Sequence, residues 1–482
     1  MSPSLTSQEA HSREALHREG LVERPTRQAV ALVSLAILNF ALKYLTSMAL
    51  ANTLGITAFE RYAVAVASVV FCSTMVELGL GKQGLRLMPT LIEKGRHSLA
   101  AGYWRFTVRT VFVLAALTAG VLTLMHDAFF EGTSSDEAIF LLPIVATVGV
   151  AAEIVLACGA AVAATVIVRV VVPLVPLAFV AWAALTMPAQ LTPRSAILAY
   201  GAGWLVGLLF LLVSFVKACP RAVLRGPPSY ESRPWLRGGI GFLGVAIAIS
   251  ALIDGSVVMS EFARVPAEDI SIYAVCIETG GFVLILVKSL DKFYLQQISA
   301  LIARGSLREI QRIRRRRATL MTSLCVLMCL GVIVAGKPLL RTFGEEFVRG
   351  HFALCCITIA TSAWTLTSLS QWLIAFIDGP VAALRISITG VFAVFSGILI
   401  LGPSQGLVGV ALAYSVMVLL MSLMLASRAR LTLSRLVKLA KKKKRKQKKR
   451  ERELVAMERE LAAKRGQELA KKGREDSDPG AD

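Results

Sequence analysis

Apolar residues in this chain run in long blocks, with neither the strict alternation of a half-buried strand nor the heptads of a coiled coil. A block of roughly 18 or more residues is long enough to cross a bilayer as a helix. About twelve such blocks are present: Gln28–Ala51, Ala58–Leu80, Trp104–Leu124, Ala138–Cys158, Val162–Met187, Ala196–Val216, Gly239–Ser260, Ile270–Leu290, Ala318–Ala335, Phe352–Phe376, Val381–Leu401 and Leu407–Ala426. The pattern predicts an all-α, polytopic membrane protein. The polar stretch Met1–Thr26 and the length of the first apolar block make that block a membrane helix rather than a cleaved signal.

Short inside loops are richer in Lys and Arg than outside ones. With the N-terminus inside, the inner loops hold Lys82, Arg86, Lys94 and Arg96, then Arg221, Arg225, Arg233 and Arg237, then Arg304, Arg308, Arg312 and Arg314 to Arg317. The outer segments Asp127–Glu137 and Gly402–Gly406 hold no base, and the outer loop with Lys337, Arg341 and Arg349 is the exception. Both termini are therefore expected in the cytoplasm.

The chain repeats weakly at a spacing of about 211 residues. Tyr62-Ala63-Val64 returns as Tyr273-Ala274-Val275, Leu91-Ile92-Glu93-Lys94-Gly95 as Leu301-Ile302-Ala303-Arg304-Gly305, and Leu198-Ala199-Tyr200 as Leu412-Ala413-Tyr414. An even number of helices per repeat makes the repeats parallel, with the substrate route between them. The expected organisation is a cytoplasmic tail (1–27), a first six-helix bundle (28–217), a basic linker (218–238), a second six-helix bundle (239–427) and a polybasic cytoplasmic tail (428–482).

Composition agrees with membrane residence: 55% of the 482 residues are hydrophobic and 18% charged, and the mean hydropathy is +0.64. The net charge of +21 is concentrated in the tail and the inner loops, so it does not by itself indicate nucleic acid. The eight cysteines form no paired metal-ligand pattern and read as small apolar residues. No phosphate-binding loop, HExxH or GxSxG occurs. No cofactor, metal or catalytic residue is predicted, and a transporter is expected rather than an enzyme.

Three segments carry a family resemblance. Leu50-Ala51-Asn52-Thr53-Leu54-Gly55 with Phe59 and Tyr62-Ala63 resembles the first outside turn of polysaccharide and O-antigen flippases, members of the multidrug/oligosaccharidyl-lipid/polysaccharide exporter superfamily. Leu339-Leu340-Arg341-Thr342-Phe343-Gly344-Glu345-Glu346-Phe347 resembles that family's segment between the ninth and tenth helices, and Gly406-Leu407-Val408-Gly409-Val410-Ala411-Leu412-Ala413 is similar to the start of its twelfth. The resemblance covers roughly Arg27 to Arg428, in pattern more than in identity. It implies a V-shaped central cavity that opens alternately to each side. The implied cargo is an undecaprenyl-pyrophosphate-linked oligosaccharide, carried to the outer leaflet of the bacterial inner membrane for polysaccharide synthesis.

Charges at membrane depth cost several kcal/mol, roughly 2.5–3.5 on insertion scales, unless paired or facing water. Lys43 in the first span and Asp254 in the seventh occupy equivalent positions of the repeat with opposite sign, and Glu278 in the eighth lies at similar depth. These three are expected to form a charged cluster in the cavity, with one acid holding a proton or cation and coupling transport to an ion gradient; a static packing pair is the other reading. Glu77 and Lys288 form a second equivalent pair near the cytoplasmic ends of their spans, either a gate or side chains that snorkel to the interface. Arg109, Arg169 and Arg385 lie toward the inside face; guanidinium groups hold phosphate oxygens well, which makes them pyrophosphate candidates, although the loop-charge rule alone also places Arg there. Pro143, Pro173 and Pro176 are expected to interrupt the fourth and fifth spans, and Gly203 and Gly207 to pack helices closely.

After Arg428 the composition turns basic, with Lys441 to Arg450 nearly all cationic, then a charged helix over Glu451–Lys472 and a frayed end over Gly473–Asp482. Anionic membrane lipids are the expected partner of this tail, ahead of a cytoplasmic protein. No nucleic acid is expected, since no aromatic residues are interleaved. Three further functions stay open: an ion-coupled multidrug antiporter or a peptidoglycan-precursor flippase of the same superfamily, a membrane-embedded polysaccharide-assembly enzyme such as a polymerase, and a scaffold that gathers polysaccharide-assembly proteins.

Overall fold

Hydrocarbon offers the backbone no hydrogen-bond partners, so a membrane chain must satisfy its own amides, and helices do this locally. The computed structural model describes residues 34–125, 138–186, 191–284, 307–377 and 380–475. They form α1 (Ser34–Leu54), α2 (Ile56–Val76), α3 (Leu80–Glu93), α4 (His97–Leu124) and α5 (Leu142–Ala157), which follows a 3-10 turn at Ile139–Leu141. Next come α6 (Ala161–Thr186), α7 (Pro193–Ala218), the short α8 (Arg221–Arg225), α9 (Ser232–Phe262) and α10 (Ala267–Gly280). The chain continues through α11 (Leu307–Arg341), a 3-10 turn at Glu345–Gly350, α12 (His351–Ile377) and α13 (Pro380–Glu475).

Among the described residues nine helical stretches are long and apolar enough to cross a membrane, and α9 makes a tenth despite a 46° bend near Gly244. The protein is an all-α, polytopic membrane protein. The expected eighth span, Ile270–Leu290, is described only as far as residue 284. The expected eleventh and twelfth spans are two parts of α13, which breaks at Gly406 (φ 54, ψ −134). A residue with a Cβ rarely takes that backbone angle, so glycine permits the reversal. The freed amide of Leu407 then donates to Asp269 Oδ2 at 3.0 Å, fixing the turn against α10.

Two expectations are corrected. The segment between the second and third spans is not a loop: Leu80–Glu93 is a helix that buries Leu80, Gly84, Met88 and Leu91, a spacing of three to four residues that turns one face toward the core. Pro143 does not interrupt a span; it sits in the first turn of α5, where its missing N–H is harmless. The tail helix continues from the last span, since α13 runs on to Glu475; the rest of the expected frayed end lies outside the described residues. From Leu407 the helix is about 100 Å long at 1.5 Å per residue.

Two of the three bases that break the expected loop-charge pattern are paired with acids. Arg341 pairs with Glu345 at 2.8 Å, and Arg349 with Glu268 at 2.9 Å and Asp269 at 3.3 Å.

The two prolines of α6 shape its packing. Proline has no N–H for the carbonyl four residues back, so Pro173 frees the carbonyl of Arg169 and Pro176 that of Val172. The helix widens into a π turn over Ile167–Val171. Gly203 of α7 lies directly against the Val172 carbonyl oxygen, leaving no room for a Cβ, and a Cβ on Gly207 would come 2.6 Å from Val172 Cγ2. The expected close-packing glycines therefore receive the most irregular part of α6. Gly203→Ala should lower the thermal midpoint of the micelle-purified protein, at a cost of about 1–3 kcal/mol from overpacking. Gly331→Ala, where a new Cβ meets nothing within 4 Å, should leave it unchanged or slightly raised.

Candidate functional site

The carbonyl of Arg169, freed by Pro173, accepts a hydrogen bond of 2.9 Å from Asn39 Nδ2 of α1. An unmet carbonyl in a low-dielectric interior is costly, so this bond ties α1 to the π turn of α6. It also sets one wall of a cavity of about 450 Å³. Its walls come from α1, α2, α6 and α7 on one side and from α9 and α10 on the other, and Lys43, Arg169, Asp254 and Glu278 all line it.

The cavity charges are held by neighbours of modest polarity. Glu278 Oε2 accepts from Ser47 Oγ at 2.9 Å, and Lys43 is close enough to Glu278 to interact with it electrostatically. Asp254 Oδ2 accepts from Ser250 Oγ, one turn earlier in α9, at 3.0 Å. Tyr200 and Trp204 of α7, with ring centroids 6.1 Å apart, form part of the wall. Two cations and two acids beside an aromatic wall suit an amphipathic ligand with a charged group.

Beside the cavity, two of the segments that carried the family resemblance meet. Asn52 donates to the Thr342 carbonyl at 2.6 Å and Tyr44 to the Leu339 carbonyl at 3.4 Å. Tyr44 meets Phe343 edge-on at 4.9 Å, and Phe59 meets Phe347 at 6.3 Å. Ser271 Oγ donates to the Ile56 carbonyl. Residues some 290 positions apart in sequence are thus joined here.

The remaining candidates lie elsewhere. Lys288 is outside the described residues. Glu77, just beyond the end of α2, sits within the first part of the chain against α5: a Cβ on Gly149 would be 2.6 Å from Glu77 Oε1. Beside it Lys82 of α3 bridges to Glu153 of α5 at 3.0 Å. The Glu153 carboxylate raises the Lys82 pKa above its usual value, with burial working against it. Arg109 and Arg385 do not line the cavity; Arg109 lies in a groove on the outside of α4, and Arg385 is an exposed residue of α13. The three arginines considered for pyrophosphate do not converge, and Arg169 alone of them reaches the cavity.

Sequence reasoning passed over Asn39, Ser47, Trp204 and Glu153. Asn39 could have been found by asking what satisfies the carbonyl four residues before Pro173. Glu153 stands out as the one acid in an otherwise apolar fourth span.

No protein-family model matches the chain, and no curated protein matches it in sequence. Solved structures do share its fold. An inward-facing multidrug resistance MATE family transporter of the MOP superfamily superposes with a TM-score of 0.69 at 12% identity, over 85% of this chain and 99% of the other. An outward-facing one gives 0.63 at 12% identity, over 86% and 97%. A MOP superfamily transporter from Pyrococcus furiosus, described as having a binding pocket of reverse polarity, gives 0.62 at 12% identity, over 86% and 96%. The chain has the fold of these transporters along most of its length.

Two outcomes are expected of this site. Asn39→Ala should cost about 1–3 kcal/mol by orphaning the Arg169 carbonyl. Adding Pro173→Ala, which restores an N–H four residues on, should remove most of that cost in a double-mutant cycle of unfolding midpoints. Separately, single cysteines at positions 43, 254 and 278 in a cysteine-free background should each react with an aqueous thiol reagent in membranes. If all three stay unlabelled, the cavity is closed to water in every state.

Proposed function

We propose that the protein is an alternating-access transporter whose cargo is a lipid-linked oligosaccharide, carried from the cytoplasmic to the outer leaflet of a bacterial inner membrane. The observation that carries this reading is the charged, aromatic-walled cavity lined by α1, α2, α6 and α7 together with α9 and α10. In it Arg169 supplies the guanidinium for a pyrophosphate. Lys43, Asp254 and Glu278 form the coupling cluster, because their charges can be rebalanced by one proton or cation. The termini are cytoplasmic, and the basic tail meets anionic headgroups.

A second reading is favoured by a specific observation. The neighbours with this fold include multidrug resistance transporters, and the two acids in the cavity would also suit a cationic drug exchanged for an ion.

Deletion of the protein in a strain that makes a lipid-linked oligosaccharide should trap that lipid in the cytoplasmic leaflet. The intact chain should restore delivery and Asp254→Ala should not. Normal delivery in the deletion strain, together with new sensitivity to cationic drugs, would select the antiporter.

A further inference from the structure

A second cavity lies outside the protein's centre. It is an open groove of about 1060 Å³ along the outer side of α4, lined among others by Trp104, Arg105, Arg109, Phe112, Leu117 and Tyr230. Its form follows from helix register. Arg105, Arg109, Val113 and Leu117 succeed one another at four-residue steps, each beside the next along a ridge that turns slowly around α4. The ridge is basic at one end and apolar at the other: Val113 and Leu117 are 47% and 61% exposed. From Arg105 to Leu117 the rise is about 18 Å, close to the roughly 15 Å of hydrocarbon in one leaflet.

The basic end is built by the linker before α9. That segment is strapped to α4: the Ser229 amide donates to the Ser98 carbonyl at 3.0 Å, and the Ser229 carbonyl packs so tightly on Gly102 that no Cβ would fit. Arg105 donates to the Leu224 carbonyl at 2.9 Å, and its guanidinium lies 5.5 Å from the centre of the Trp104 ring. That uses part of its donor set and fixes its position. Arg109 is exposed and has no hydrogen-bond or ion-pair partner among the described residues. No carboxylate lines the groove. Trp104 and Tyr230 are the amphipathic aromatic residues that sit at the headgroup level of membranes.

We propose that this groove is a binding site for one anionic phospholipid of the inner leaflet, its phosphate held by Arg109 and Arg105 and one acyl chain lying along Phe112 to Leu117. Charge complementarity selects the occupant. Two guanidinium groups with no acid nearby favour a headgroup of net negative charge, whereas the ammonium of a zwitterionic lipid would find no acceptor. The site does not depend on what the central cavity carries.

Full-length protein in micelles, titrated with phosphatidylglycerol, phosphatidylcholine or inorganic phosphate, would be read by native mass spectrometry. The wild type should retain one phosphatidylglycerol about tenfold more strongly than phosphatidylcholine, the scale of one charge-assisted hydrogen bond, and should retain no inorganic phosphate. Arg109→Gln should lose that preference at an unchanged thermal midpoint, and Leu117→Trp, which fills the apolar half, should weaken retention of both lipids. The basic tail is present in every variant, so its own lipids cancel in the comparison. Equal retention of the two lipids by the wild type, or a preference that survives both substitutions, would overturn the proposal. Retention of inorganic phosphate alone would replace it with a simple anion site.

Discussion

The structure depends on a rule of the lipid environment: each backbone carbonyl that leaves the helical ladder must find another partner inside the protein. Pro173 and Pro176 break that ladder twice in α6. One freed carbonyl takes the Asn39 amide from α1 and the other is covered by Gly203 from α7. The first contact draws α1 to the π turn that carries Arg169, and the second draws in the helix that carries Tyr200 and Trp204. Part of the wall of the central cavity therefore follows from how two proline defects are accommodated, one by a hydrogen bond and one by close packing.

Where a residue's meaning lay in hydropathy, the sequence was legible. Apolar blocks marked the spans, and the repeat singled out Lys43 and Asp254, which line one cavity although 211 positions separate them. Meaning that lay in partners was harder to read. Helix α3 carries Lys82, Arg86 and Glu93 among its apolar positions, so a window that averages hydropathy takes it for a loop. Glu153 disappears in an apolar run until Lys82 is seen beside it. Arg109 and Arg169 look alike as bases near inner ends of spans. They separate only once the rotation of each helix is known, one toward the cavity and the other toward the groove on α4. Glu77 stood out in the sequence only as an acid near the end of a span, and its carboxyl faces Gly149 close to the Glu153–Lys82 pair.

Two kinds of contact join the earlier helices to the later ones, and they differ in what it costs to separate them. On the seam between the start of α3 and α9, Gly79 and Gly239 bring backbones into direct contact, with no space for a Cβ. Such packing has no substitute in water or lipid, because its gain is dispersion between atoms that touch. Where the two segments meet beside the cavity, the polar contacts are side-chain amide, phenol or hydroxyl donors on backbone carbonyls: Asn52 on Thr342, Tyr44 on Leu339 and Ser271 on Ile56. Asn52 and Thr342 are exposed, and a hydrogen bond at a wet surface is exchanged for one to water at a net cost of only about 0.5–1.5 kcal/mol. None of these donors or acceptors is charged, so parting them strands no ion in hydrocarbon. The charged contact across this boundary, Ser47 and Lys43 of α1 with Glu278 of α10, lies in the cavity instead, where parting the two helices leaves a carboxylate that only water, an ion or a cargo can meet.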